Sequence, residues 1–167
     1  MIQHRLLDSE HSKELFAYFG LAVYYSQALE QQLVNLLVLT KLADGKDLSE
    51  AEIEDLYHRK LGSSLGQLVH EIRHNFEFTD EEVIQLNEIW KQRNYIVHDY
   101  FKKRIQETFS PAGRSRMIRE LSNFKDRAQE LEQKLQRYAR DMYIALGQEE
   151  DTVSAGPGSQ KQRSADS

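Results

Sequence analysis

"SPAGRSRMIRELSNFKDRAQELEQKLQRYARDMYIA", residues 110–145, places Met117, Leu121, Phe124, Ala128, Leu131, Leu135, Tyr138, Met142 and Ala145 in alternating steps of four and three. Steps averaging 3.5 residues keep one apolar stripe on one face of a long helix, which suits packing nearly parallel to other long helices. Ser110 and Pro111 supply an N-cap and a first-turn residue whose missing N–H costs nothing there. The stretch therefore predicts one long helix of a bundle.

Upstream segments read the same way. A first helix from about Ser9 to Lys41 carries Leu15, Phe19, Ala22, Val23, Ser26, Leu29, Leu33, Leu36 and Leu37 at helical spacing, and "ADGKDLS" then interrupts it with turn residues. "SEAE" at Ser49–Glu52 has the capping-box pattern and opens a short second helix to about Lys60. A third follows "LGSS" and runs from near Ser64 to Phe76. "TDEE" at Thr79–Glu82 is a second capping box, opening a long fourth helix through about Phe109. No segment reads as a strand, and no internal repeat is visible. The expected fold class is all-α: an up-and-down helical bundle of about five helices, three long and two short, with the short pair between the first and fourth. The domain spans 1–146. From Gly147, "GQEEDTVSAGPGSQKQRSADS" cannot bury apolar area, so 147–167 reads as a disordered polar C-terminal tail.

Composition narrows the chemistry. The 167 residues include no Cys, which removes disulfides, thiolate zinc sites and thiol nucleophiles together. The opening "MIQHRLLDSEHSKE" is too polar for a secretory signal, and no apolar run reaches membrane-spanning length, so a cytoplasmic location and no membrane partner are expected. A net charge of −5 argues against a general nucleic-acid binder, yet the charge is unevenly spread. Residues 1–90 carry seven basic and sixteen acidic groups; residues 91–119 carry eight basic groups against only Asp99 and Glu107. That window is either a local positive field for a polyanion or a solvated basic face balancing acidic neighbours.

Two stretches carry candidate chemistry. "HEIRH", His70–His74, matches the zinc-protease pattern H-E-x-x-H. The apolar face of its helix is Leu65, Leu68, Val69, Ile72 and Phe76, and both His point away from it. No third ligand follows at a familiar spacing, so the pair reads as a solvated surface feature and no metal or other cofactor is expected. The second stretch is "RNYIVHDYF", residues 93–101. Val83, Leu86, Trp90, Val97, Tyr100 and Phe101 define the apolar stripe of the fourth helix, and Arg93 falls near its centre. A guanidinium there is costly unless it is paired or faces an anion. Asn94 and His98 are i, i+4 partners along one edge of the stripe. One reading makes Arg93 a buried ion-pair partner of Glu30 or Glu88 and His98 a hydrogen-bonded rim residue. The other is catalytic. Metal-free RNA cleavage needs a base for the 2′-hydroxyl, an acid for the leaving 5′-oxygen and a cation for the transition-state charge; His and Arg supply these. One helix carries a single set, so two chains would have to pack their fourth helices together.

"RNYIVHDY" resembles the Arg, polar residue, three residues, His signature of the HEPN superfamily. With Tyr100 two places after His98, it is similar to the Arg-x4-His-x-Tyr form of HEPN toxins paired with minimal nucleotidyltransferases. "FGLAVYYSQALEQQLVNLL" in the first helix and "KLGSSLGQLVHEI" before the motif helix match the wider layout, over roughly residues 10–145. The resemblance implies an all-α bundle that forms a homodimer through the motif helix. It implies a metal-independent endoribonuclease with a composite site across the dimer, acting as a toxin or phage-defence effector on an RNA substrate. Arg93 and His98 would be catalytic, Asn94 would support His98, and Tyr100 would line the site and be a modification target of a nucleotidyltransferase antitoxin. Lys102, Lys103 and Arg104 would form an RNA-binding basic rim. HEPN proteins also include non-catalytic interaction and nucleotide-binding modules, which is the alternative expectation.

Overall fold

In the computed structural model, which describes residues 9–45, 47–60, 65–73 and 76–154, helices begin where the caps place them. The Ser9 hydroxyl accepts the Ser12 N–H at 3.0 Å and opens α1 (Glu10–Ala43). Ser49 and Glu52 form reciprocal side-chain and backbone bonds of 3.2 and 2.7 Å at the head of α2 (Glu50–Lys60). Thr79 and Glu82 do the same, at 3.1 Å each, for α4 (Asp80–His98). Such a cap contributes about 1 kcal/mol. The other elements are α3 (Leu65–Ile72), α5 (Tyr100–Arg104), a 3₁₀ segment over Ile105–Phe109, and α6 (Pro111–Ser154). Among the described residues there is no strand, and the chain is an all-α bundle.

Side-chain pairs fix the helix directions. Arg114 donates to His11 and Gln32 to Glu132, so α1 and α6 run parallel. Arg93 meets Glu30 and Tyr100 meets Phe19, so α4 runs antiparallel to α1. Lys134 meets Glu82 and Arg127 meets Gln92, so α4 also opposes α6. The long helices therefore go up, down and up. The predicted seam of α6 is the core: Met117, Leu121, Phe124, Ala128, Leu131 and Leu135 are buried, and they face Leu15, Ala22, Leu29, Leu33, Leu36 and Leu37 of α1. Each large aliphatic side chain buried there contributes about 1.5–3 kcal/mol. The seam fades at Tyr138 and Met142, and Tyr143 and Ile144 are exposed. The Gln32–Glu132 register brings the last residue of α1, Ala43, level with Tyr143, so beyond it α6 has nothing of α1 to pack against.

The structure departs from the sequence reading in three places. The fourth helix does not run to Phe109. It ends at His98, and Asp99 (φ −127°, ψ −12°) joins it to the short α5. The break is one residue wide, since Asp99 N–H still bonds Tyr95 and its carbonyl accepts Lys103 N–H, each at 2.9 Å. It lets Tyr100 turn fully into the core among Phe19, Tyr95 and Phe101. The 3₁₀ segment then lies so close to α6 that a Cβ on Gly113 would run into the Glu107 carbonyl. The third helix is shorter than expected, with Phe76 and Phe78 leaving it to pack their rings 5.0 Å apart. Finally, α6 continues past Gly147 to Ser154; the rest of the expected tail, 155–167, lies outside the described residues.

Candidate active site

The quoted motif occupies the last two turns of α4, the break and α5. Leu86, Ile89 and Ile96 of α4 are buried, and Arg93 sits between them with its side chain 24% exposed. Its Nη2 is 3.0 Å from Oε1 of Glu30, which projects from the middle of α1 and is itself buried. The guanidinium carbon lies 5.2 Å over the Trp90 ring, and Nη1 donates to Asn94 Oδ1 at 3.2 Å. Of the two carboxylates that the sequence offered as partners, Glu30 is the one engaged, whereas Glu88 lines the groove between α4 and α6. Burial raises the Glu30 carboxyl above its ordinary value, with the Arg93 charge pulling the other way.

His98 is the last residue of α4 and is exposed; among the described residues no hydrogen bond or ion pair holds its ring. It follows Arg93 by five residues, which is about 7.5 Å along the helix and about 140° around it. Within one chain the two side chains therefore do not converge on one phosphate. Asn94 shares the edge with His98 but is bonded to Arg93, so it orients the guanidinium rather than the imidazole.

Two other expectations need correction. Tyr100 does not line a surface. It is 1% exposed, its hydroxyl donates to the Met117 carbonyl at 3.2 Å, and burial pushes its pKa up to about 12. A hydroxyl so placed is out of reach of a modifying enzyme unless α4, α5 and α6 separate. Arg104 is not part of a basic rim either. It bonds Glu107 twice, at 3.0 and 2.9 Å, bonds Glu120, and lies 5.3 Å over the Tyr100 ring. Arg114 is held as well, by His11 and the Thr108 carbonyl, while Arg116 stays exposed with its Nε 3.6 Å from Glu107. Of the expected rim, Lys102 and Lys103 are exposed, the latter 5.8 Å over Tyr95.

Sequence reasoning missed an exposed apolar face. Phe16 and Tyr24 of α1 and Val97 of α4 are 44%, 62% and 40% exposed. They belong together: Glu30–Arg93 at one end and the Phe16–Phe101 ring contact (5.4 Å) at the other bring Gly20, Val23 and Tyr24 alongside the turn holding Asn94, Val97 and His98. The signal was present, because residues 15–29, "LFAYFGLAVYYSQAL", contain no charge anywhere around the helix. A helix that buries only one stripe does not need that. Gly20 adds to it, since a mid-helix glycine costs about 1 kcal/mol relative to Ala and nothing lies within 4 Å of where its Cβ would be.

The "HEIRH" stretch is only partly described. His70 is exposed on α3, Glu71 is held by Lys60 at 2.5 Å and Lys41 at 4.0 Å, and His74 lies outside the described residues. Among the described residues no three metal-ligating side chains gather.

No protein-family model, curated protein or solved structure matches the chain. The functional reading therefore rests on the residues themselves.

Proposed function

We propose that this chain is a metal-independent endoribonuclease of the HEPN type, working as a homodimer whose composite site holds two copies of Arg93 and His98. The observation that carries the reading is the exposed His98, unbonded among the described residues, beside an exposed apolar face and about one and a half turns from an arginine already held in place. A second copy covering that face would bring two imidazoles and two guanidinium groups to one groove. One His98 takes the 2′-hydroxyl proton, O2′ attacks phosphorus, and the P–O5′ bond breaks as the partner's His98 protonates the 5′-oxygen. This leaves a 2′,3′-cyclic phosphate and a 5′-hydroxyl. The Arg93 side chains balance the charge on the phosphorane-like transition state. Lys102 and Lys103 draw the RNA backbone to an otherwise acidic protein. A toxin or phage-defence effector is the setting this chemistry suits. Modification of Tyr100 by an antitoxin is no part of the proposal, since that hydroxyl is buried and bonded.

The test joins cleavage to assembly. Wild-type protein is expected to cut RNA in EDTA as a dimer, and Tyr24→Glu, which puts a charge into the apolar face, is expected to give a folded monomer that does not cut. A monomeric variant cutting as fast as wild type would remove the composite site. One observation favours a second reading, a non-catalytic interaction module: Arg93 already has Glu30, Trp90 and Asn94 as partners. On that reading neither protein cuts RNA, and Arg93→Ala acts only on stability by leaving Glu30 buried and unpaired.

A further inference from the structure

The geometry points to Glu30 as the positioning residue for the Arg93 guanidinium, an assignment that rests on reading Arg93 and His98 as a ribonuclease pair. A long arginine side chain loses much rotamer freedom when fixed, and a cation helps a transition state most when it is fixed beforehand. Three contacts restrain Arg93: Glu30, the Trp90 face and Asn94. Trp90 and Asn94 ride on α4 itself and move with it. Glu30 alone comes from another helix, and it is 7% exposed in the middle of the 34-residue α1, against which α6 packs along its length. It is thus the rigid end of the clamp.

The clamp leaves room for phosphate. A guanidinium has five N–H donors; Glu30 takes one at Nη2 and Asn94 one at Nη1. Among the described residues nothing takes the remaining donors, and the exposed quarter of the side chain can meet an anion. A carboxylate this close also offsets part of the attraction of Arg93 for phosphate, so charge alone does not recommend glutamate here. What glutamate supplies is reach: its oxygen arrives at 3.0 Å from across the helix pair. Aspartate would keep the charge and withdraw the oxygen by one methylene, about 1.5 Å. Glutamine would keep the oxygen and remove the charge.

That pair of variants separates positioning from charge and from mere packing. RNA cleavage in EDTA is measured for wild type, Glu30→Asp, Glu30→Gln and His98→Ala, with dimer content and Tm recorded for each. If Glu30 positions Arg93, Glu30→Asp lowers kcat by about 10- to 100-fold with KM within about threefold of wild type. Glu30→Gln then restores at least about a third of wild-type kcat, because its amide oxygen accepts the same bond. Both variants keeping wild-type kcat while only Tm moves would overturn the assignment and leave the His98 site standing. Equal loss in both would make the charge of Glu30 the agent and overturn it too. Undiminished cleavage by His98→Ala would remove the underlying site, and this assignment with it.

Discussion

Arg93 and Arg104 lie eleven residues apart on one stretch of chain, each largely covered and each set against glutamate and an aromatic ring, yet they do opposite things. Arg104 is 17% exposed and its fork is filled by Glu107 and Glu120 over Tyr100. It fastens the 3₁₀ segment and the head of α6 to α5. Arg93 is 24% exposed, meets one carboxylate and one amide, and keeps donors to spare beside an apolar face left uncovered among the described residues. A saturated guanidinium is a clasp; one with donors left over is a binding group in waiting. Charge density along the sequence puts both in the same basic window and does not tell them apart.

Exchanging each for alanine should split the two roles. Arg93→Ala is expected to lower RNA cleavage by about 10²- to 10³-fold, the scale for removing a preorganised donor at developing charge. Arg104→Ala should act first on stability, by about 1–2 kcal/mol in denaturant unfolding, as its bonds to two solvated carboxylates are lost. If Arg104→Ala silenced cleavage while unfolding like wild type, the comparison would fail. Tyr100→Phe sharpens it further. Removing only the hydroxyl that meets Met117 should cost about 0.5–1.5 kcal/mol. A larger effect on cleavage than on stability would return Tyr100 to the site.

The smallest expected effect is electrostatic. Burial raises the Glu30 pKa from 4.5, so its contribution to stability is fully present below that value and is lost as pH rises through the raised pKa. Glu30→Gln should therefore lessen the fall in Tm from about pH 4.5 towards neutrality. A Gln variant that loses more Tm than wild type over that window would show that the Arg93 attraction outweighs burial.

The parts of the fold legible in the sequence are those set by local chemistry. The Ser49–Glu52 and Thr79–Glu82 boxes and the seam from Met117 to Leu135 each depend on residues within a turn or two of one another. The break at Asp99 was not legible, because the apolar spacing runs on through Val97 and Phe101; it reflects the demand of Tyr100 for the core and of its hydroxyl for the Met117 carbonyl. The site was half legible. Helical period put Arg93 on the stripe and His98 on its edge, but a one-dimensional pattern does not say which of Glu30 and Glu88 lies across from Arg93. Nor does it say that Arg104 turns inward to Glu120, sixteen residues away. The apolar face at Phe16 and Tyr24 was visible as an uncharged run, and only its exposure gives that run meaning.

The most direct test of the central claim is the end-group chemistry of RNA incubated with purified dimer in EDTA, for wild type and His98→Ala side by side. Wild type is expected to give fragments ending in 2′,3′-cyclic phosphate, and the His98→Ala dimer none. Cyclic-phosphate fragments from both proteins, or from neither, would contradict the claim.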